Sequence, residues 1–157
     1  RVQLLILLVT GTALSACTPK KIPGTDIDDT EETQAVLAVV RKYRAAVESR
    51  NAEGIYQLCD KSFSDDGGTA VPEDDLEYET LKTKLSERMG HITELKLDIT
   101  VRRIEFDTDE SFARVTYSYN VSFKMPGYSS RTQSENDIKQ MMLKRIDKNE
   151  WKITSGI

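Results

Sequence analysis

The sequence predicts an α+β domain over residues 31–157, with three N-terminal helices packed on a bent antiparallel sheet of about four strands. Apolar residues recur at helical spacing between Glu31 and Gly90, and beyond Gly90 they alternate with polar ones. Short turn-forming clusters separate the alternating stretches, which makes them neighbours in an antiparallel meander. Helices grouped ahead of strands belong on one face of the sheet.

The elements follow in order. Asp29 or Thr30 can cap a first helix, with Glu31 and Glu32 suited to its positive end. Val36, Val40, Tyr43 and Val47, spaced four, three and four apart, form its apolar stripe, and Arg41, Lys42 and Arg44 lie off it. Asn51 caps a shorter second helix carrying Ile55, Leu58, Cys59 and Phe63, which Ser64-Asp65-Asp66-Gly67-Gly68 ends. A brief strand is expected at Thr69–Val71. Pro72 with Glu73, Asp74 and Asp75 opens a third helix, faced by Tyr78, Leu81, Leu85 and Arg88/Met89 and ended by Gly90.

The period then becomes two. Leu95, Leu97, Ile99 and Val101 share one side of a strand, and Lys96, Asp98, Thr100 and Arg102 the other. The apolar parity flips between Arg103 and Ile104, which predicts a β-bulge and a bent strand. After the turn Asp107-Thr108-Asp109-Glu110, Ala113, Val115, Tyr117, Tyr119, Val121 and Phe123 alternate with Arg114, Thr116, Ser118, Asn120 and Ser122. Met125-Pro126-Gly127-Tyr128 breaks that strand, a third covers roughly Asp137–Asp147, and a turn leads to Trp151, Ile153, Ser155 and Ile157.

The run Glu48-Ser49-Arg50-Asn51-Ala52-Glu53-Gly54-Ile55-Tyr56-Gln57-Leu58 follows the capped first helix, and Met142-Leu143-Lys144-Arg145-Ile146-Asp147-Lys148-Asn149-Glu150-Trp151-Lys152-Ile153 closes the chain. Together they resemble the nuclear transport factor 2-like superfamily. The resemblance implies a strongly bent sheet that wraps a helix into a cone with an apolar pocket. Isomerases, dehydratases, cyclases and non-catalytic domains all use this fold, so the fold does not choose among them.

Ahead of the domain, the apolar run Val2–Val9 leads to Leu14-Ser15-Ala16-Cys17. This resembles the lipobox of a bacterial lipoprotein signal peptide, and it implies cleavage after residue 16 and acylation of Cys17. The run is too short to span a bilayer, which takes about 20 apolar residues. Each buried acyl methylene contributes about 0.8 kcal/mol, so two or three chains anchor durably. Thr18, rather than Asp, follows the cysteine. By resemblance to the Gram-negative sorting rule, that favours the periplasmic face of the outer membrane. Residues 18–30 read as a polar tether spanning at most about 40 Å. Its acidic string Asp26-Ile27-Asp28-Asp29 fails the EF-hand template, because Glu31 and Leu37 stand where glycine and glutamate are required.

Removing residues 1–16 takes away only the charge of Arg1, so the mature net charge becomes −5. A mildly acidic surface excludes nucleic acid as the expected partner. One histidine and, after acylation, one free cysteine exclude the usual zinc spacings, and neither a metal nor a cofactor is expected. Cys59 reads as a small buried hydrophobe.

Enzymes similar to ketosteroid isomerase and the SnoaL-like cyclases imply an Asp or His inside the cone, beside a Tyr or a second acid. Tyr43, His91 and Asp98 are the candidates. The inward parity assigns the pocket to Leu97, Ile99, Tyr117 and Tyr119, with Tyr43 from the first helix. Asp98 has outward parity, and His91 falls in a loop at the rim. No inward acid–base pair is visible, so general acid–base catalysis has no evident carrier. Two readings follow. One is a non-catalytic envelope lipoprotein whose cone binds an apolar small molecule or an envelope protein. The other is a small-molecule isomerase or lyase. Thr116, Ser118, Asn120 and Ser122 offer a flat outer sheet face for a homodimer.

Overall fold

The computed structural model of the chain describes residues 20–67 and 75–157. Cys17 and the signal segment lie outside the described residues, as do the strand expected at Thr69–Val71 and the helix opening at Pro72-Glu73-Asp74.

Two helices lead the domain. Helix α1 spans Glu31–Glu48, and its cap is Thr30, whose hydroxyl accepts from the Thr33 amide at 3.1 Å. Its stripe enters the core as expected: Val36, Val40 and Val47 are buried, while Tyr43 is half-buried. Helix α2 spans Ala52–Leu58 and is capped by Asn51, which accepts from the Gly54 amide at 2.9 Å. It stops at Leu58 because Cys59 turns extended and the Asp60 amide donates to Ile153 O at 2.8 Å. Cys59 and Phe63, expected on the helix, are instead buried in the segment that ties it to the sheet.

The next stretch differs from the sequence reading. Ser64–Asp65 forms a strand, β1, paired antiparallel with β2 at Leu76–Glu77. Helix α3 therefore covers Tyr78–Gly90 and does not include Asp75. Burial of Leu76 and its ladder partner outweigh the helix-opening signal of the acidic residues before it. Leu81 and Leu85 are buried, whereas Arg88 is exposed.

Four long strands complete the fold: β3 at Thr93–Phe106, β4 at Phe112–Met125, β5 at Ser129–Asp147 and β6 at Glu150–Ser155. They form one antiparallel sheet in the order β3-β4-β5-β6. Register slips between Val101, paired with Tyr117, and Arg103, paired with Thr116. That slip is the bulge the parity flip predicts, and it bends the strand. Strand β5 begins well before the expected Asp137. Its first half is polar on both faces and carries no period, but Gln133 and Ser134 still pair with Phe123 and Ser122.

The core lies between the sheet's inner face and the helices. Ile55, Leu81, Met141, Leu143 and Ile153 are among its fully buried side chains. Burying each such side chain contributes about 1.5–3 kcal/mol. Residues 20–29, assigned by composition to the tether, close into a hairpin: the Ile22 amide donates to Ile27 O at 2.9 Å, and the Asp29 amide to Lys20 O at 2.7 Å. Ile27 is buried beside Val40 and Val101.

Candidate functional site

The inner face of the sheet and α1 form a half-open cavity of about 200 Å³. Tyr43 and Val47 line it from α1, Leu97 and Ile99 from β3, Tyr117, Tyr119 and Val121 from β4, and Glu135 and Lys139 from β5. The five residues that parity and the helix stripe assign to a pocket, Tyr43, Leu97, Ile99, Tyr117 and Tyr119, thus meet around one space. Alternation puts every second β3 and β4 residue on the concave face, and the cross-strand pairs Ile99–Tyr119 and Val101–Tyr117 hold them level.

Three phenols dominate the lining. The Tyr117 and Tyr119 rings lie 6.4 Å apart, tilted by 48°. The Tyr117 hydroxyl donates to Gly156 O at 2.9 Å. Withdrawal from water pushes the phenols of Tyr43, Tyr117 and Tyr119 above their ordinary range. The Asp65 carboxylate adds to this at Tyr43 and Tyr117, and Glu135 and Asp137 add to it at Tyr119. At neutral pH the phenols are protonated, which suits them to donate hydrogen bonds and not to act as bases.

Two ionisable residues of the lining escape the sequence reading. Glu135 lies in the β5 segment whose polar pattern hides its strand, and Lys139, inside the expected strand, falls outside the five residues assigned to the pocket. Lys139 Nζ donates to Ile157 O at 3.2 Å and stands 5.9 Å from the Tyr119 ring centre. Glu135 and Lys139 are four residues apart on one strand, about 13 Å along it. Asp65 is the third residue missed. Its Oδ2 accepts from the amides of Gly156 (2.8 Å) and Ile157 (3.0 Å), so it pins the segment that lines the cavity at Ile157. Only the tertiary fold joins Asp65 to residues more than 90 positions away.

The structure separates the three catalytic candidates. Tyr43 lines the cavity. Asp98 projects from the other side of β3 with its side chain 78% exposed, 3.2 Å from Arg44 Nη2. His91 follows α3 as an exposed capping residue, edge-on to Tyr128 at 6.3 Å. Neither Asp98 nor His91 lines the cavity with Tyr43, so the trio is no catalytic set. Among the described residues no cluster of His, Cys, Asp and Glu could hold a metal ion.

A larger recess, about 1200 Å³, opens on the outside between α1, α2 and the β5–β6 hairpin. Lys42, Lys61, Lys144 and Lys152 stand around it. Its one carboxylate, Asp60, already accepts from Ser62 Oγ at 2.6 Å and pairs with Lys144 at 3.7 Å. The smaller cavity is the better candidate, because three phenols and several apolar side chains converge on one half-open space between sheet and helix.

No family model and no curated protein matches the sequence. Solved structures do match the fold. A nuclear transport factor 2-like superfamily protein from Salmonella enterica superposes with a TM-score of 0.64 at 12% identity, covering 78% of this chain and 86% of that one. A ketosteroid isomerase-like protein from Erwinia carotovora gives 0.66 at 9% identity, covering 81% and 94%. A conserved protein from Planctomyces limnophilus gives 0.65 at 10% identity, covering 79% and 91%. At such identities the likeness concerns the backbone, and the bent four-stranded sheet with its three helices has the nuclear transport factor 2-like fold.

Proposed function

We propose that the domain is a non-catalytic binding module that takes one small, mostly apolar molecule into its cavity, and that acyl chains on Cys17 hold it in the cell envelope. The observation that carries the binding reading is the convergence of Tyr43, Tyr117 and Tyr119 on one half-open cavity lined by Leu97, Ile99 and Val121. An apolar cavity of about 150 Å³ holds benzene, so about 200 Å³ suits a ligand of one ring or a short branched chain. The lipobox-like Leu14-Ser15-Ala16-Cys17 supports the anchor, and Thr18 supports the outer membrane's periplasmic face.

Two measurements test these parts separately. Single-ring compounds should raise the melting temperature of the wild type and leave Ile99→Trp, which fills the cavity, unmoved. An equal response from both proteins rejects the cavity as the binding site. Intact mass of detergent-extracted protein should show the acyl chains, and Cys17→Ala should move the protein out of the membrane fraction.

The isomerase or lyase reading draws on the ketosteroid isomerase-like neighbour and on Glu135, a carboxylate beside protonated phenols. Its test is deuterium exchange at the carbon next to the carbonyl of a cyclic ketone. Binding alone predicts equal exchange with wild type and Glu135→Gln. A homodimer through the outer sheet face remains a separate proposal: beside Ser118 that face carries Ile138, which is 55% exposed. Ile138→Lys should then halve the mass seen by light scattering.

A further inference from the structure

The cavity's chemistry narrows the class of ligand, an inference that rests on the binding reading above. The faces of Tyr117 and Tyr119 adjoin, 6.4 Å between ring centres, and Tyr43 lines the same space from α1. Aromatic faces carry negative partial charge and attract ammonium groups. One cation already shows this attraction here, since Lys139 Nζ stands 5.9 Å from the Tyr119 centroid. Carboxylates outnumber cations around the site. Glu135 lines it, Asp137 is paired across the sheet with Tyr119, and Asp65 acts on Tyr43 and Tyr117. Lys139 stands alone against these three, and its ammonium is already used by Ile157 O at 3.2 Å.

We propose that the cavity selects a small organic cation, an amine or quaternary ammonium compound, seated on the tyrosine faces with Glu135 as its counter-charge. An anion would meet three phenols beside the exposed carboxylates of Glu135 and Asp137. Asp65 is already taken up by the Gly156 and Ile157 amides, and the anion's one ammonium partner is hydrogen-bonded to Ile157 O. A neutral ligand would fit the volume and gain nothing from the exposed Glu135. Lys139 acts as an internal competitor for the Tyr119 face, so the side chain that looks most like an anion anchor reduces affinity for the cation.

The test uses a matched pair of probes on the whole domain: choline and its neutral isostere 3,3-dimethylbutan-1-ol, with benzoate as the anion. Calorimetry should show choline binding about two- to fivefold tighter than the alcohol, the ratio expected of a cation–aromatic contact open to solvent. Glu135→Gln should weaken choline about twofold and leave the alcohol unchanged, and Tyr119→Leu should weaken choline more than the alcohol. Lys139→Met should strengthen choline. Circular dichroism of each variant separates lost binding from lost folding, and the conservative Glu135→Gln keeps the question answerable if Tyr119→Leu unfolds. Equal binding of choline and the alcohol, or preference for benzoate, overturns the cation inference and leaves the apolar cavity standing. If no probe binds and Ile99→Trp responds as wild type does to every ring compound, the binding reading falls with it.

Discussion

Single residues decide more here than composition suggests. Cys59 is buried, its Sγ lies 3.4 Å from Ile55 O, and burial pushes its thiol up to about 12. A thiol so poised is almost wholly protonated at pH 8, so a thiol reagent should leave it unlabelled until denaturant is added. Labelling in the native protein at the unfolded rate would contradict the burial. Asp60 carries the clearest pH effect. Its carboxylate lies below the ordinary range, chiefly because Ser62 donates through Oγ at 2.6 Å and through its amide at 3.0 Å. A lowered folded value means that its stabilisation is present above the unfolded carboxylate pKa of about 4 and fades as pH falls through the folded value. Urea midpoints of wild type and Asp60→Asn should therefore differ at pH 6 and converge toward pH 3. Gly156 is fixed by sterics: its φ is +86°, and a Cβ there would lie 1.9 Å from Gln140 O. Burial of Cys59 is legible in the sequence, and the Ser62 cap on Asp60 is local, two residues on. The constraint on Gly156 is not legible, because the fold brings Gln140 against it. Leu97 and Ile99 are legible, since alternation alone gives them the inner face.

At the scale of elements, legibility follows the strength of the periodic signal. Helix α1 could be read to its cap because a four-three-four stripe and an acidic first turn agree. Replacing Thr30 with Ala removes the acceptor for the Thr33 amide and should cost about 1 kcal/mol in urea unfolding. The start of helix α3 is not legible, because propensity cannot see that Leu76 is needed in the core. The first half of β5 has no period to read. Its backbone is nonetheless captured by β4, whose unpaired amides and carbonyls would otherwise go unsatisfied. Glu135 comes from that half-strand and is hidden with it, whereas Lys139 lies in the legible part of β5. The bulge near Arg102 illustrates the opposite case. A parity flip is a local sequence signal, and it marks where β3 bends to make the concave face.

For the whole molecule, the hairpin at residues 20–29 changes what an anchor would mean. Composition describes residues 18–30 as a free tether of about 40 Å. With Lys20 hydrogen-bonded to Asp29 and Ile27 buried on α1 and β3, residues 20–29 belong to the folded domain and are not available as a tether. The docked hairpin can be tested without the lipid. Ile27→Ala should lower domain stability by about 2 kcal/mol in urea unfolding, as loss of a buried isoleucine does, whereas a free tether predicts no change. Trypsin gives the independent readout. Lys20 and Lys21 should resist cleavage while the hairpin is closed, because a protease needs several residues in extended form. In Ile27→Asp, where a buried charge without a partner would expel the hairpin, the same bonds should be cut early while the rest of the domain survives. Equal cleavage of wild type and Ile27→Asp would return residues 20–29 to the tether.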